Sequence, residues 1–459
     1  MTGDKQMKPS RWQVFYAPWE RAFDRVLTPF DEFIHRQTTS GMLLMICAVI
    51  ALFLANGRYA DTYLHLIHTK LGFSFGDHAL KMSLQHWVND GLMMFFFFVV
   101  GLELKREILV GELSDLRHAI LPIIAAIGGM LVPALLYLLL NPDGATAKGW
   151  GIPMATDIAF AVGALALLAG RVPKSLITFL VALAIVDDLG AVLVIALFYT
   201  AELSWSALAV AALLTGVLVS FNLFGIRKPL PYFLVAILLW MALLTSGVHA
   251  TLAGVIAAFT IPAYPKFDPR LFSKRMKHLL GRFDAEYRPG ENILTNEAQR
   301  GIVQTLENGV LKVQAPLQRL EHQWHMPVAY LVIPLFALIN AGVPIDFSAL
   351  SGTFTHPVTF GVIAGLVLGK FLGIAGSCWI ALKLGFGQLP ANTSFTQLAG
   401  VALLGGIGFT MSIFIAELAF ASQPENLLMA KTGILVASLL AGVGGYLWLL
   451  MVSRKPTGA

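Results

Sequence analysis

Apolar runs of about twenty residues recur along most of this chain, and no other feature restricts its fold as severely. An α-helix rises 1.5 Å per residue, so crossing a hydrocarbon layer of ~30 Å takes about 17 to 25 residues. Runs of that kind fall near residues 41–56, 87–102, 119–140, 151–169, 175–199, 206–224, 328–345, 357–382, 397–420 and 430–453. A further apolar stretch lies between Pro229 and Pro262. The runs are continuous rather than striped, and only 13% of the 459 residues are charged, against roughly 25% in soluble domains. Water is therefore not the main solvent of this fold. The expected class is all-α integral membrane.

The stretch from Pro229 to Pro262 is either one long span or two short ones, and charge decides between them. Two spans turning near Ser246 and Gly247 give twelve in all, with both termini on one side. Lys and Arg then number sixteen inside against five outside, even when the ten in 263–327 are set aside because long loops obey the positive-inside rule weakly. Twelve spans with both termini cytoplasmic are expected. The domains are a cytoplasmic or interfacial arm (1–36), spans one to eight (37–262), an extended cytoplasmic loop (263–327), spans nine to twelve (328–453) and a cytoplasmic tail (454–459).

The arm carries Trp12, Phe15, Tyr16, Trp19 and Phe23 among Arg11, Arg21 and Arg25, a pattern suited to a helix on the bilayer surface. Residues 69–81 place Phe73 and Phe75 around Ser74 before Gly76-Asp77, which suits a small extramembrane β-hairpin. In the long loop Leu306, Val310, Val313, Leu317 and Leu320 follow a cap-like Asn296 and Gln299, predicting an amphipathic helix bent at Pro316. Cys47 and Cys378 both lie in apolar runs far apart and suggest packing, not a disulfide or zinc site.

Inside the runs the ionisable residues matter most, because each costs roughly 2.5 to 3.5 kcal/mol to insert at mid-span. Asp157, Asp187, Asp188 and Lys370 all fall there, and the three aspartates together cost about 8 to 10 kcal/mol. Lys370 can neutralise one aspartate in an ion pair, which leaves two carboxylates to explain. Adjacent residues on a helix point ~100° apart, so Asp187 and Asp188 share a cavity only if its wall is broad and hydrated. Two such acids titrate as a coupled unit and can hold protons or a desolvated cation in competition. Exchange of a small monovalent cation for protons is the expected function.

Backbone signals converge on the same region. The run 151–169 contains Pro153 and Ala155-Thr156-Asp157, and 397–420 contains Gly405, Gly406 and Gly408 just before Thr410. Both read as interrupted helices. Each is the middle member of a three-span set, 119–199 and 357–453, running in opposite directions, as in an inverted repeat with discontinuous crossing helices. Gly361, Gly365, Gly369 and Gly373 recur every four residues and predict a smooth face for close helix packing. Glu417, near the outer end of its run, is expected to reach the headgroup region.

These segments, together with Gly101-Leu102-Glu103-Leu104-Lys105-Arg106-Glu107, Ala184-Ile185-Val186-Asp187-Asp188-Leu189-Gly190, Gly247-Val248-His249-Ala250-Thr251-Leu252-Ala253-Gly254 and Gly406-Ile407-Gly408-Phe409-Thr410-Met411-Ser412, closely resemble NhaA-type sodium/proton antiporters. The resemblance covers about 35 to 453 apart from much of 265–318, which departs from the compact family loop. It implies twelve helices in a bacterial inner membrane, exporting sodium or lithium as protons enter, electrogenically and under pH control. It implies that Asp187 and Asp188 bind the cation and protons, that Lys370 acts beside Asp187, and that Thr156 and Asp157 sit at the crossing. The pH-sensing counterparts it suggests are Glu103, Arg106, Glu107, Glu321, His322 and His325, with His249 a further candidate. It also implies a homodimer made through an outward hairpin, which 69–81 can supply. Sodium or lithium ions, protons and the lipid bilayer are the expected partners, and no cofactor, nucleic acid or enzymatic activity is expected.

Two rivals remain at this level. An intramembrane aspartyl protease also needs two membrane aspartates, but no Gly-x-Gly-Asp occurs and Lys370 would have no role. A cation channel or a cation-coupled solute symporter fits the topology too, and predicts flux without proton coupling or a need for a second substrate.

Overall fold

Lipid offers no partner to a backbone N–H or C=O group, so each apolar run must satisfy its own, and the helix does this within one segment. The computed structural model describes residues 29–453 apart from 76–77, 143, 169, 201–202, 266–268, 289–292 and 345–349. Among the described residues eight helical segments are long and apolar enough to cross a membrane: Thr39–Asn56, Ala119–Leu140, Thr146–Ala166, Lys174–Phe198, Trp205–Leu223, Pro316–Asn340, Pro357–Lys383 and Pro424–Val452. A ninth is counted if Phe395–Leu404 and Phe409–Ala419, bent by 46° at their junction, make one span. The other apolar runs are helical but shorter or more charged. Met93–Val110 continues a π-helical segment, Trp87–Leu92, and carries four charges in its last two turns. The stretch after Pro229 forms two helices, Pro229–Leu244 and Leu252–Thr260, separated by a turn in which Gly247 takes a φ of 86° that a side chain would resist.

The chain divides into two units, one of residues 34–262 and 320–459 that holds the spans, the other of 263–319 with the chain up to Phe33. In the first unit, strands Lys70–Phe75 and His78–Ser83 pair antiparallel, closing on Phe75 opposite His78. This is the hairpin expected around 69–81, and its turn residues Gly76 and Asp77 lie outside the described residues. The aromatic arm also falls mostly outside them. The helix Pro29–Asn56 begins before the expected boundary at 36.

In the second unit the single bent helix expected from 306 to 320 is replaced by a break. Helix Glu297–Val313 ends before Pro316, which opens a new helix, Pro316–Pro327. Proline cannot donate the i→i−4 bond that would carry the first helix through, whereas it fits the first turn of the second. Asn296 caps as expected, accepting from the Gln299 amide at 3.1 Å. Val310 is exposed while Leu306 and Val313 are half-buried, so the apolar stripe is narrower than its spacing suggested. A further helix not anticipated from the sequence, Pro269–Ala285, packs on Glu297–Val313, with Met276 and Phe272 beside Gly309.

The four glycines of the 357–382 run face the helix Leu116–Leu140. A Cβ at Gly361 would meet Asn141 and Tyr137, at Gly365 the Pro153 ring and then the Pro133 carbonyl oxygen, at Gly369 Pro133, and at Gly373 it would strike the Gly128 carbonyl oxygen. Where Gly373 meets Gly128 neither helix presents a side chain, so the backbones approach closely. This seam carries Lys370 to the site described below. Gly373→Val should therefore wedge the seam open at a cost of about 1–3 kcal/mol, read as a lower thermal unfolding midpoint in detergent. An unchanged midpoint would mean that the seam is looser than the structure indicates.

Candidate functional site

The two interrupted segments meet at their breaks. A 3-10 segment, Thr146–Met154, gives way to extended backbone at residues 155–157 before the helix Ile158–Ala166. The second segment unwinds at residues 405–408 between Phe395–Leu404 and Phe409–Ala419. Each break satisfies polar groups of the other. The Asp157 amide donates to the Ile407 carbonyl at 2.7 Å, and the Thr156 hydroxyl donates to the Gly405 carbonyl at 2.8 Å. The Ser412 hydroxyl donates to the Ile152 carbonyl at 2.8 Å.

Asp157 ties the arrangement together. One carboxylate oxygen caps its own helix by accepting from the Phe160 amide at 3.1 Å. The other accepts from the Thr410 amide at 3.0 Å and the Thr410 hydroxyl at 2.5 Å. One carboxylate thus serves the N-termini of two half-helices, where the exposed amides and helix dipoles favour negative charge. Thr410 and Ser412 belong to the site although the sequence reading singled out neither as a ligand. A hydroxyl directly after a glycine-rich break was the available signal.

Asp187 and Asp188 lie side by side in the unbroken helix Lys174–Phe198, each 1% exposed. Their surroundings differ. Asp187 pairs with Lys370, whose ammonium donates to one carboxylate oxygen at 2.6 Å with both side chains out of solvent. Thr156 is a further polar neighbour of Asp187. Asp188 has no hydrogen-bond partner on either carboxylate oxygen among the described residues. It lines a cavity of about 60 Å³ together with Asp157, Thr410, Glu103, His325 and Ser40. A buried carboxyl with no partner is costly, so this one must take up a proton, a cation or water. The cavity has room for a few waters or a small ion, and falls far below the roughly 300–1,000 Å³ of a typical small-molecule site. Among the described residues no three His, Cys, Asp or Glu side chains are arranged to hold a metal ion. Any cation here needs hydroxyl, carbonyl or water oxygens besides the carboxylates.

Of the residues expected to sense pH, some come together and some do not. Arg106 pairs with Glu107 at 2.9 Å and with Glu321 at 3.0 Å, and Glu103 lies one turn away on the same helix. His325 joins Glu103 at the small cavity, while His322 is exposed. His249 stands elsewhere, bonded to the Tyr199 carbonyl oxygen at 3.0 Å in a separate cavity of about 900 Å³ shared with Asp90 and His86. Glu417 does not reach out as its position suggested. It pairs with Lys431 at 2.6 Å and accepts from Gln85 at 2.9 Å, both partly buried at that same cavity.

The model of the Na+/H+ antiporter 1 family matches residues 31–449. The chain belongs to this family. A Na(+)/H(+) antiporter NhaA 1 of Saccharophagus degradans is 60% identical over 431 residues, 94% of this chain and 93% of the relative. Na(+)/H(+) antiporters NhaA of Sulfurimonas denitrificans and Syntrophobacter fumaroxidans are 54% and 52% identical, covering 96% and 94% of this chain and 99% and 92% of those relatives. Coverage this complete leaves little room for those relatives to lack a segment as long as 265–318. The antiporter is thus a multi-pass membrane transporter and not an enzyme, with sodium ions and protons as its substrates.

Thr410→Val keeps the amide but removes the hydroxyl from Asp157. A stability loss of about 1–3 kcal/mol is expected for the weakened buried carboxylate, visible in thermal unfolding, with Thr410→Ser close to the native protein. Equal unfolding of native and Val forms would show that the hydroxyl contributes nothing to the junction.

Proposed function

We propose that Asp188 and Asp187 form the shared cation and proton site of this antiporter, with Thr156 and Asp157 holding the junction of two broken helices that cross beside it. The observation that carries the proposal is the pair of unpartnered oxygens of Asp188, which lines a small, largely apolar cavity that Asp157, Glu103 and Thr410 also reach. Sodium or lithium takes the place of protons on the carboxylates. Lys370 compensates Asp187 when no cation is bound, so its ion pair competes with loading. The site opens alternately to the two sides, and competition for one site couples the two flows. The small volume argues against a solute symporter.

Twelve helices with both termini cytoplasmic, in a bacterial inner membrane, accord with the asymmetry of Lys and Arg. In that orientation sodium leaves the cell as protons enter. If more protons than cations move per cycle, net positive charge enters, and each charge contributes about 2.3 kcal/mol per 100 mV of membrane potential. The cluster of Glu103, Arg106, Glu107 and Glu321, with His325 and the exposed His322, regulates transport by pH, and His249 acts from its separate cavity. The hairpin 70–83 joins two copies into a homodimer.

In everted or reconstituted vesicles, sodium or lithium should collapse a proton gradient reported by a pH-sensitive dye, and Asp188→Asn should abolish the response. A fully active Asn variant would remove Asp188 from the site. Because protons and sodium compete, the KM for sodium should rise as pH falls, by up to about tenfold per pH unit for each competing proton. A KM independent of pH would mean that the two ions bind separately. A membrane potential, negative on the side that protons enter, should speed exchange, and no response would make the exchange electroneutral.

A further inference from the structure

The helix Pro269–Ala285 has two unlike faces, and only one is explained by the fold. Phe272, Met276, Leu279 and Phe283 are half-buried at spacings of 4, 3 and 4, and form the side packed on Glu297–Val313. At 100° per residue, Lys274, Lys277, His278 and Arg282 fall on the opposite side, within an arc of about 160° that also includes Arg270 and Arg275. All six are exposed. Asp284, at the edge of that arc, is the helix's single acid. Leu271 stands amid the cations and is 56% exposed.

We propose that this cationic face docks on the bilayer surface by binding anionic phospholipid headgroups of the adjacent leaflet. Three observations favour a lipid surface over a soluble acidic partner. The helix begins nine residues after Thr260, the end of an apolar helix, and the chain returns to an apolar span within Pro316–Asn340. The segment is therefore tethered to the membrane at both ends. Its charge complements an anionic leaflet, toward which basic residues beside spans are drawn. The exposed Leu271, set among the basic side chains, suits the boundary of headgroups and acyl chains, where amphipathic basic helices lie. Nothing here depends on how the ions are bound at the aspartates, only on the chain's being embedded in a membrane.

The test uses the full chain with Cys47 and Cys378 replaced by Ala and an environment-sensitive fluorophore on Gly281→Cys, a position with open space around it on the cationic side. It is reconstituted in phosphatidylcholine vesicles or in equal parts phosphatidylcholine and phosphatidylglycerol. Blue-shifted emission, and quenching by a headgroup-labelled lipid, are expected only with phosphatidylglycerol, and should be reversed by high salt as charges are screened. The combined variant Lys274→Gln, Lys277→Gln and Arg282→Gln should lower the docked-to-undocked ratio by on the order of a hundredfold. The charge-conserving variant Lys274→Arg, Lys277→Arg and Arg282→Lys should dock as the native chain does, which separates lost charge from a misfolded hairpin. The same emission in both lipid mixtures would overturn the proposal. So would docking that survives loss of the three charges, or an equal shift produced by inorganic phosphate over neutral vesicles.

Discussion

An interrupted helix inside a hydrocarbon layer leaves amide and carbonyl groups that lipid cannot satisfy, and this constraint shapes everything around it. Here the two breaks resolve it mutually. The Asp157 amide and the Thr156 hydroxyl meet carbonyl groups of the 405–408 break. The Asp157 carboxylate returns the service by accepting from the first turn of the opposite half-helix. Neither segment would be stable at that depth alone. Breaks held together in this way can still keep polar atoms beside a cavity, which a continuous helix cannot.

The three buried aspartates of the site divide into two that face donors or a cation and one that does not. Asp157 is met by three donors and Asp187 by an ammonium, so both carboxylates have local compensation. Asp188 has none among the described residues, although it is adjacent to Asp187 on the same helix. The difference arises from the ~100° between successive side chains, which turns one toward the Gly-lined seam that delivers Lys370 and the other toward the small cavity. Glu417 and Lys431 show the contrasting case of a pair that offset each other at the edge of a larger cavity.

Much of this was legible in the residues. The two breaks, the close-packing glycines, the hairpin and the isolated membrane aspartates each leave a local mark: Pro or Gly in an apolar run, spacing of four, alternation before Gly76-Asp77, or a charge where none is cheap. The helix Pro269–Ala285 leaves a weaker mark, because its basic residues read as a solvated loop until a partner helix covers its apolar side. The expected bend at Pro316 became a break, because a proline fits the start of a helix better than its middle. Glu417 carries no mark of its burial, because its partner Lys431 stands on another helix, fourteen positions further along the chain.

Transfer energies and backbone geometry, read along one segment, are enough to put this chain in lipid and to mark its apolar helices, the two that are broken and the aspartates that must be buried. Packing between helices sets which aspartate Lys370 neutralises, brings Thr410 and Ser412 into the junction, and leaves Asp188 facing the cavity. Those outcomes depend on contacts between helices hundreds of residues apart, and the free energy of a buried charge is set by what stands across from it rather than by its neighbours in the chain.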